Sequence, residues 1–392
     1  MRNKTVLISG ASIAGPALAY WLDRYGFNVT VVEKAPGLRP GGQAVDFKGR
    51  THRTVLERMG VWEEIQRRRT GRFDTVYLDA NGRELAVMTG EFTGGDVEIL
   101  RGDVAAILHE RTSGDCDYRF GDSITALAET ADGVRAEFEH AAPQTFDLVV
   151  GADGIHSKLR ARTLGAGKAA FTGCIAWRGV VPSDRLPAHL RRAVGANWVG
   201  PGRHVVTYPL RRGELVNFVG VVERQGWETE SWTARGSRAD CAADFAGWHE
   251  DVHALIDNID EHYRWALMSR PPIERWSSGN VVLVGDACHP MLPFMAQGAV
   301  MAIEDGLLLA RCIEAHRDDR AAAIRTYESL RVERANRCVR AADRNREIFH
   351  NDRLLDREDA TRYVSTQWNE EKVRERYHWL FSYDAVGCPL ES

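Results

Sequence analysis

The chain has 392 residues, 44% hydrophobic and 27% charged, with a formal net charge of −4 at pH 7. This permits one large or two ordinary globular domains with ample core, and it lacks the basic footprint expected for binding nucleic acid or an anionic membrane. The longest apolar runs fall far short of the ~20 residues that span a bilayer, and Met1-Arg2-Asn3-Lys4 leads into a strand too short for a signal-peptide core.

In chain order, Lys4 to Ser9 reads as a strand, Ala14 to Tyr25 as a helix and Asn28 to Glu33 as a second strand, forming a βαβ unit. Helical patterns follow at Arg53 to Met59 and Val61 to Arg68. Asn81-Gly82 is a hairpin turn between Asp74 to Leu78 and Glu84 to Met88. Asp103 to Glu110 is helical. Ser123 to Glu129 and Val134 to Phe138 pair around Asp132-Gly133, and Asp147 to Val150 is a strand followed by a helix at His156 to Leu164. From about Phe171 to Val222 the pattern alternates, with strands at Cys174 to Val181, His204 to Tyr208 and Leu215 to Val221. Trp227 to Arg238 reads as a loop. Helices near Asp240 to Trp248 and Val252 to Asn258 precede strands at Tyr263 to Met268 and Val281 to Val284. Ala299 to Ile313 is helical, and Arg320 to Ile348 is a long helix whose Arg/Glu-rich stretch reads as a solvated face. Strand–helix alternation at both ends thus encloses a β-rich middle. The expected fold is α/β: a nucleotide-binding domain interrupted by a β-sheet substrate domain, with C-terminal helices packed across them.

Three segments carry chemistry. Gly10-Ala11-Ser12-Ile13-Ala14-Gly15 lies between a strand and a helix, where a dinucleotide fingerprint belongs, with Ser12 at the usual middle glycine. The first glycine makes the turn, the last lets helix and strand pack, and the helix N-terminus faces a pyrophosphate. Glu33, 18 residues beyond Gly15, suits ribose hydroxyls and would repel a 2′-phosphate. Gly151-Ala152-Asp153-Gly154, with Ser157 and Arg160, is a second Gly/Asp turn between strand and helix. The third is Gly285-Asp286-Ala287-Cys288-His289-Pro290, running on to Pro293 and Gln297-Gly298. Its Asp is placed to bond a sugar-like hydroxyl, and free N–H groups at the next helix start face something electron-rich. Two such sites some 275 residues apart suggest one extended cofactor held at both ends. The seven scattered cysteines contain no C-x-x-C pair and read as free thiols of a reducing cytosol; no metal-ligand spacing appears.

In this order and spacing, the three segments resemble the signatures of class A, single-component FAD monooxygenases of the para-hydroxybenzoate hydroxylase type, over essentially the whole chain. Trp177-Arg178, the Gly285 to Pro290 motif with Met295-Ala296-Gln297-Gly298, and the ending Trp379 to Asp384 are most similar to the salicylate, 6-hydroxynicotinate and 3-hydroxybenzoate hydroxylase branch. Gly41-Gly42-Gln43-Ala44-Val45-Asp46 is also similar to antibiotic-modifying relatives. The resemblance implies a glutathione-reductase-type Rossmann-like FAD-binding domain over 1–72, 97–170 and 275–345. A substrate-binding domain would span 73–96 and 171–274, and a helical tail 346–392. It implies NADH or NADPH reducing FAD, reaction with O2 to a flavin C4a-hydroperoxide, and hydroxylation of an aromatic or heteroaromatic substrate. The alternative is a polycyclic, antibiotic-like or biosynthetic substrate. A flavin halogenase is disfavoured because no Trp-x-Trp occurs, and a non-catalytic flavoprotein by the intact motif set. The protein is expected to be a cytoplasmic monomer or homodimer.

Carried onto this chain, the resemblance implies FAD contacts from Gly10, Ser12, Ile13, Ala14 and Gly15, with Glu33 and its neighbour Lys34 at the adenosine ribose. Arg39, Gln43 and Arg101 fall near the pyrophosphate and ribityl chain, with Asp153 and Asp286 also on the cofactor. Pro293 lies by the isoalloxazine, and the N–H groups of Gly298, Ala299 and Val300 face the flavin N1/O2 edge, where reduced flavin is negative. Ala296 departs from a common Gly and Val300 from a common Asn. A base that ionises a substrate phenol would raise its reactivity. His204 and Tyr208, four apart and so on one strand face, are the candidates, with Asp46 a weaker one. Phe294 is expected as an apolar substrate wall. Arg178, beside Trp177, suits a substrate carboxylate.

Overall fold

The computed structural model describes residues 4–39, 44–47, 50–69, 74–88, 97–165, 167–191, 195–224, 234–367 and 369–390. Among them, Thr5–Ser9 is central in a six-stranded sheet. On one side it pairs with Asn28–Glu33 and then Asp117–Phe120; on the other with Leu148–Gly151, Val281–Leu283 and the short antiparallel edge Ser277–Ser278. The first five strands are parallel and covered on both faces, which is why they read as continuous apolar runs rather than alternating ones. Val6, Leu7, Ile8, Val149, Val150 and Val282 are fully buried. The helices Ala14–Arg24 and Gly298–Ala315 pack on each other so closely that a Cβ on Gly306 would lie 2.9 Å from the Leu18 nitrogen.

A seven-stranded sheet carries Tyr263–Ser269, Ala170–Pro182, Leu215–Glu223, Arg203–Leu210, Gly195–Gly200, Thr75–Asp79 and Glu84–Met88, in that order. Only the Gly195–Gly200 pairing with Thr75–Asp79 is parallel. Period-two alternation divides its faces. Trp177, Val205, Val216, Phe218 and Val222 enter a second core covered by helices Arg238–Asp244 and Glu250–Asp257. His204, Val206, Tyr208, Val219 and Val221 face the opposite way, toward a cavity against the six-stranded sheet domain. The two-stranded ribbon of Ala44–Phe47 and Val97–Leu100 adds to this cavity wall.

The helix Arg320–Phe349 is longer than the sequence pattern suggests by one residue, and its charged stretch is not simply solvated. Arg331 is fully buried. Its Nε donates to Asp305 Oδ1 at 2.7 Å and its Nη1 to Glu304, while Arg334 donates to both Glu304 oxygens at 2.8 Å. His289 of the third motif bonds the other Asp305 oxygen at 2.6 Å. Two arginines, two carboxylates and a histidine thus tie the long helix and the Gly298–Ala315 helix to the motif. The helices Arg357–Gln367 and Glu370–Phe381 complete the fold, and Tyr377 and Phe381 of the latter reach the cavity. Among the described residues no helix is long and apolar enough to cross a membrane. All seven cysteines are free.

Candidate active site

The three motifs converge because two tight turns touch. Gly10 has φ +114°, and a Cβ there would sit 2.3 Å from the Ala152 carbonyl oxygen of the second motif. A Cβ on Gly15 would lie 1.9 Å from the Gly10 oxygen, so the helix starts directly over the turn. Glu33 braces this turn: its carboxylate accepts the N–H of Ala11 at 3.0 Å and of Ala35 at 2.9 Å. Arg160, 1% exposed, donates from Nη1 to the Cys288 carbonyl at 3.1 Å and joins the second motif to the third. Asp153 caps the helix Lys158–Leu164, its Oδ2 accepting the N–H of Lys158 at 2.8 Å; its Oδ1 is buried without a partner. Burial raises the Asp153 carboxyl above its ordinary range.

These elements frame a cavity of about 520 Å³. Ser12, Ile13, Ala14, Arg101, Asp286, Pro293, Gly298 and Ala299 line it on the motif side. Arg101 Nη1 donates to the Ser12 hydroxyl at 3.3 Å, and its guanidinium is held below its ordinary range by burial and the nearby Arg39 charge. Asp286 is open to the cavity but enclosed by protein, and this desolvation raises its carboxyl. Lys34 and Arg39 line a shallow surface depression beyond Glu33 rather than this cavity, with Arg39 still close enough to act on the Arg101 charge. Gln43 lies outside the described residues. The Val300 side chain is buried in the core and does not line the cavity.

The helix Gly298–Ala315 points its start into the cavity. Its first bond runs from the Met301 N–H to the Gln297 oxygen at 2.9 Å, leaving the N–H groups of residues 298–300 ahead of the ladder. Gln297, which the sequence placed in the third motif without a role of its own, is 1% exposed and lines the cavity with both amide atoms unpartnered. An orphaned buried amide, free N–H groups and glycine turns with no room for a Cβ fit a bound flavin nucleotide: they offer a polar ring edge and a pyrophosphate the partners they lack. Ala296 has φ +52°, which explains why glycine suits that position.

The opposite wall holds the candidate substrate groups. His204, 2% exposed, packs edge-on to Phe294 with ring centres 5.2 Å apart. Burial first, and the neighbouring His350 second, hold its imidazole well below its ordinary range, so the ring is neutral at pH 7. Tyr208 lies on the same strand face. Burial and the carboxylates of Glu98 and Asp46 push its phenol well above its ordinary range, so it stays protonated. Asp46 and Glu98 are register partners, and both line the cavity. Arg178 and Trp177 do not line it. The Arg178 guanidinium lies 5.1 Å from the Trp265 ring centre and 5.6 Å from that of Tyr263, with Trp265 itself in the cavity wall. Trp177 faces the second core, where its Nε1 donates to Asp244 at 2.7 Å.

Residues 3–342 match the model of the FAD binding domain family. Over 98% of its length the chain is 33% identical to 6-hydroxynicotinate 3-monooxygenase of Bordetella bronchiseptica, covering 96% of that protein. Over 97% it is 34% identical to a 3-amino-4-hydroxybenzoate 2-monooxygenase of Streptomyces platensis, again covering 96% of the relative. The solved structure of Klebsiella pneumoniae HpxO with FAD and uric acid superposes with a TM-score of 0.81 at 26% identity, over 99% of this chain and 98% of that one. The chain belongs to the FAD binding domain family as a flavoprotein monooxygenase, with FAD as its cofactor and NAD(P)H and O2 as co-substrates.

Proposed function

We propose that the cavity hydroxylates a compact aromatic or heteroaromatic ring that already carries an ionisable hydroxyl. The observation that carries this reading is one cavity lined both by the helix start at Gly298 with the unpartnered Gln297 amide and by a neutral His204 packed on an apolar Phe294. One wall suits a flavin edge; the other suits a flat ring and its hydroxyl proton. The two curated relatives are named for small hydroxylated aromatic acids, which supports the same class here.

FAD supplies the oxygen-transfer chemistry when bound, and the protein supplies binding, orientation and proton handling. Glu33, with Lys34 beyond it, would serve the adenosine end. Arg39, Arg101, Ser12 and Asp286 would serve the pyrophosphate and ribityl region. Pro293, Gln297 and the N–H groups of residues 298–300 hold the ring and its N1/O2 edge, where negative charge develops on reduction. His204 takes the proton from the substrate hydroxyl and Tyr208 orients it by hydrogen bonding. Phe294 excludes water from the reacting face. Seven free thiols suit a cytoplasmic protein, as a monomer or homodimer.

The test is rapid-mixing measurement of flavin reduction by NADH and NADPH, alone and with salicylate, hydroxybenzoates, 6-hydroxynicotinate, 3-amino-4-hydroxybenzoate and a tetracycline. A single-ring ligand that accelerates reduction supports the reading. Acceleration by the tetracycline alone overturns the compact-substrate assignment.

A further inference from the structure

His204 is not isolated behind the cavity wall. Its Nδ1 lies 2.6 Å from His350 Nε2, and His350 Nδ1 lies 2.7 Å from a Glu223 oxygen. His204 lines the cavity, the His350 side chain is 2% exposed, and the Glu223 side chain is 49% exposed. The three groups come from different elements: the strand Arg203–Leu210, the C-cap of the long helix Arg320–Phe349, and the end of the strand Leu215–Glu223. We propose that His204, His350 and Glu223 form a proton relay that carries the substrate hydroxyl proton from the cavity wall to solvent.

The proton balance is simple. With both imidazoles neutral, His204 carries its proton on Nδ1 and donates to His350 Nε2; His350 carries its own on Nδ1 and donates to Glu223. The substrate O–H bond breaks as an N–H bond forms at His204 Nε2, the ring nitrogen that the relay leaves for the cavity. The Nδ1 proton passes to His350 Nε2, and the His350 Nδ1 proton passes to the carboxylate and then to water. Both rings end neutral with their tautomers exchanged. Re-aromatisation breaks the ring C–H bond and releases that proton to water; the substrate oxygen takes back the His204 Nε2 proton, and one proton drawn from water through Glu223 and His350 resets both tautomers.

The surroundings suit a path that stays uncharged. Phe294 and Phe349 pack on the His204 ring, each with ring centres 5.2 Å away. Burial lowers both imidazoles, and at His350 this outweighs the pull of Glu223. Among the described residues, the other ionisable groups facing the path are Arg346 of the long helix, which also disfavours a charged His350, and Cys174 of the strand Ala170–Pro182. Cys174, Glu223 and His350 are close enough to share a cation. The Arg346 charge opposes one, and His350 Nδ1 is already engaged by Glu223. Glu223 and His350 act through His204 and are positioning and conducting residues rather than groups that touch substrate.

The relay rests on the phenolic-substrate reading for its purpose but not for its existence, so it is tested first without substrate. Histidine side-chain nitrogen resonances are followed against pH in the flavin-loaded protein and its Glu223→Gln variant. Removing the carboxylate is expected to lower the titration of His350 and, through the shared hydrogen bond, to move His204 with it. An unchanged His204 curve overturns the relay. In turnover, His350→Gln is expected to slow hydroxylation about tenfold or more at neutral pH, to shift the rate profile to higher pH, and to be partly rescued by added imidazole, with flavin reduction unaffected. A variant with an unshifted pH profile and no imidazole response overturns the relay. Coupled titration without any hydroxylated product supports the relay and overturns the substrate reading; hydroxylation with uncoupled titration does the reverse.

Discussion

The Arg101 guanidinium donates to the hydroxyl of Ser12, the residue that stands where a dinucleotide fingerprint usually has its second glycine. The hydroxyl that replaces hydrogen at that position is therefore bound by the cation that begins the helix Arg101–Thr112, and both residues line the cavity. Arg101→Ala should remove a charge-assisted contact worth about 1.5–3 kcal/mol, weakening FAD retention by ~10–100-fold. Ser12→Gly should cost far less. Flavin release measured by fluorescence checks both, and full occupancy in Arg101→Ala would remove Arg101 from the FAD site.

Ala296 occupies a left-handed conformation at φ +52°, ψ 33°. Such a backbone costs an L-residue about 1–2 kcal/mol, part of which glycine's greater freedom in the unfolded chain offsets. Ala296→Gly should therefore raise stability by a fraction of this, up to ~1 kcal/mol, and leave flavin occupancy intact. Thermal unfolding of both proteins decides the sign.

Arg331→Met should be severe. It leaves Glu304 and Asp305, both fully buried, without their shared cation. Removing one partner of a buried pair costs about 3–5 kcal/mol. Denaturant unfolding should show that loss, while Arg353→Met, which breaks an exposed pair with Asp359, should show almost none.

The pH dependence of stability follows from His204 and His350. Both are held below the ordinary histidine value by burial, so the unfolded chain binds their protons more readily than the native one. Their contribution is complete above the unfolded value of about 6.5 and is lost progressively as pH falls through and below it. His204→Phe should flatten this acid-side decline in an unfolding series from pH 7 to about pH 5. A decline as steep as the parent's would mean His204 is not held neutral.

The motif side of the site was legible because it is local. Gly10, Gly15, Glu33 and Asp286 sit at strand ends whose apolar runs announce themselves, and the spacing alone places a helix start beside each turn. The ribbon Ala44–Phe47 with Val97–Leu100 was not legible, since four residues carry too little periodicity to separate a strand from a loop. The strand Gly195–Gly200 was hidden by its glycines and asparagine. Period-two alternation already forbids Trp177 and Arg178 from sharing a face, but which face meets the cavity depends on the helices that cover Trp177. His204, His350 and Glu223 are separated by 146 and 127 positions. Nothing local in a helix C-cap or a strand end marks such partners. Arg331 looks like any other arginine of a charged helix until Glu304 and Asp305 are packed against it.

The central claim is that the flavin edge and the His204–Phe294 wall act on one ring held between them. The most direct measurement is the mass of the product formed under isotopically labelled O2 with the ligand that most accelerates flavin reduction, in the parent and in the His204→Ala/Tyr208→Phe variant. The account predicts one labelled oxygen atom on the ring in the parent and about a hundredfold slower product formation in the variant, with flavin content equal. Equal product rates in the two proteins, or oxygen consumed only to peroxide with every ligand, would contradict it.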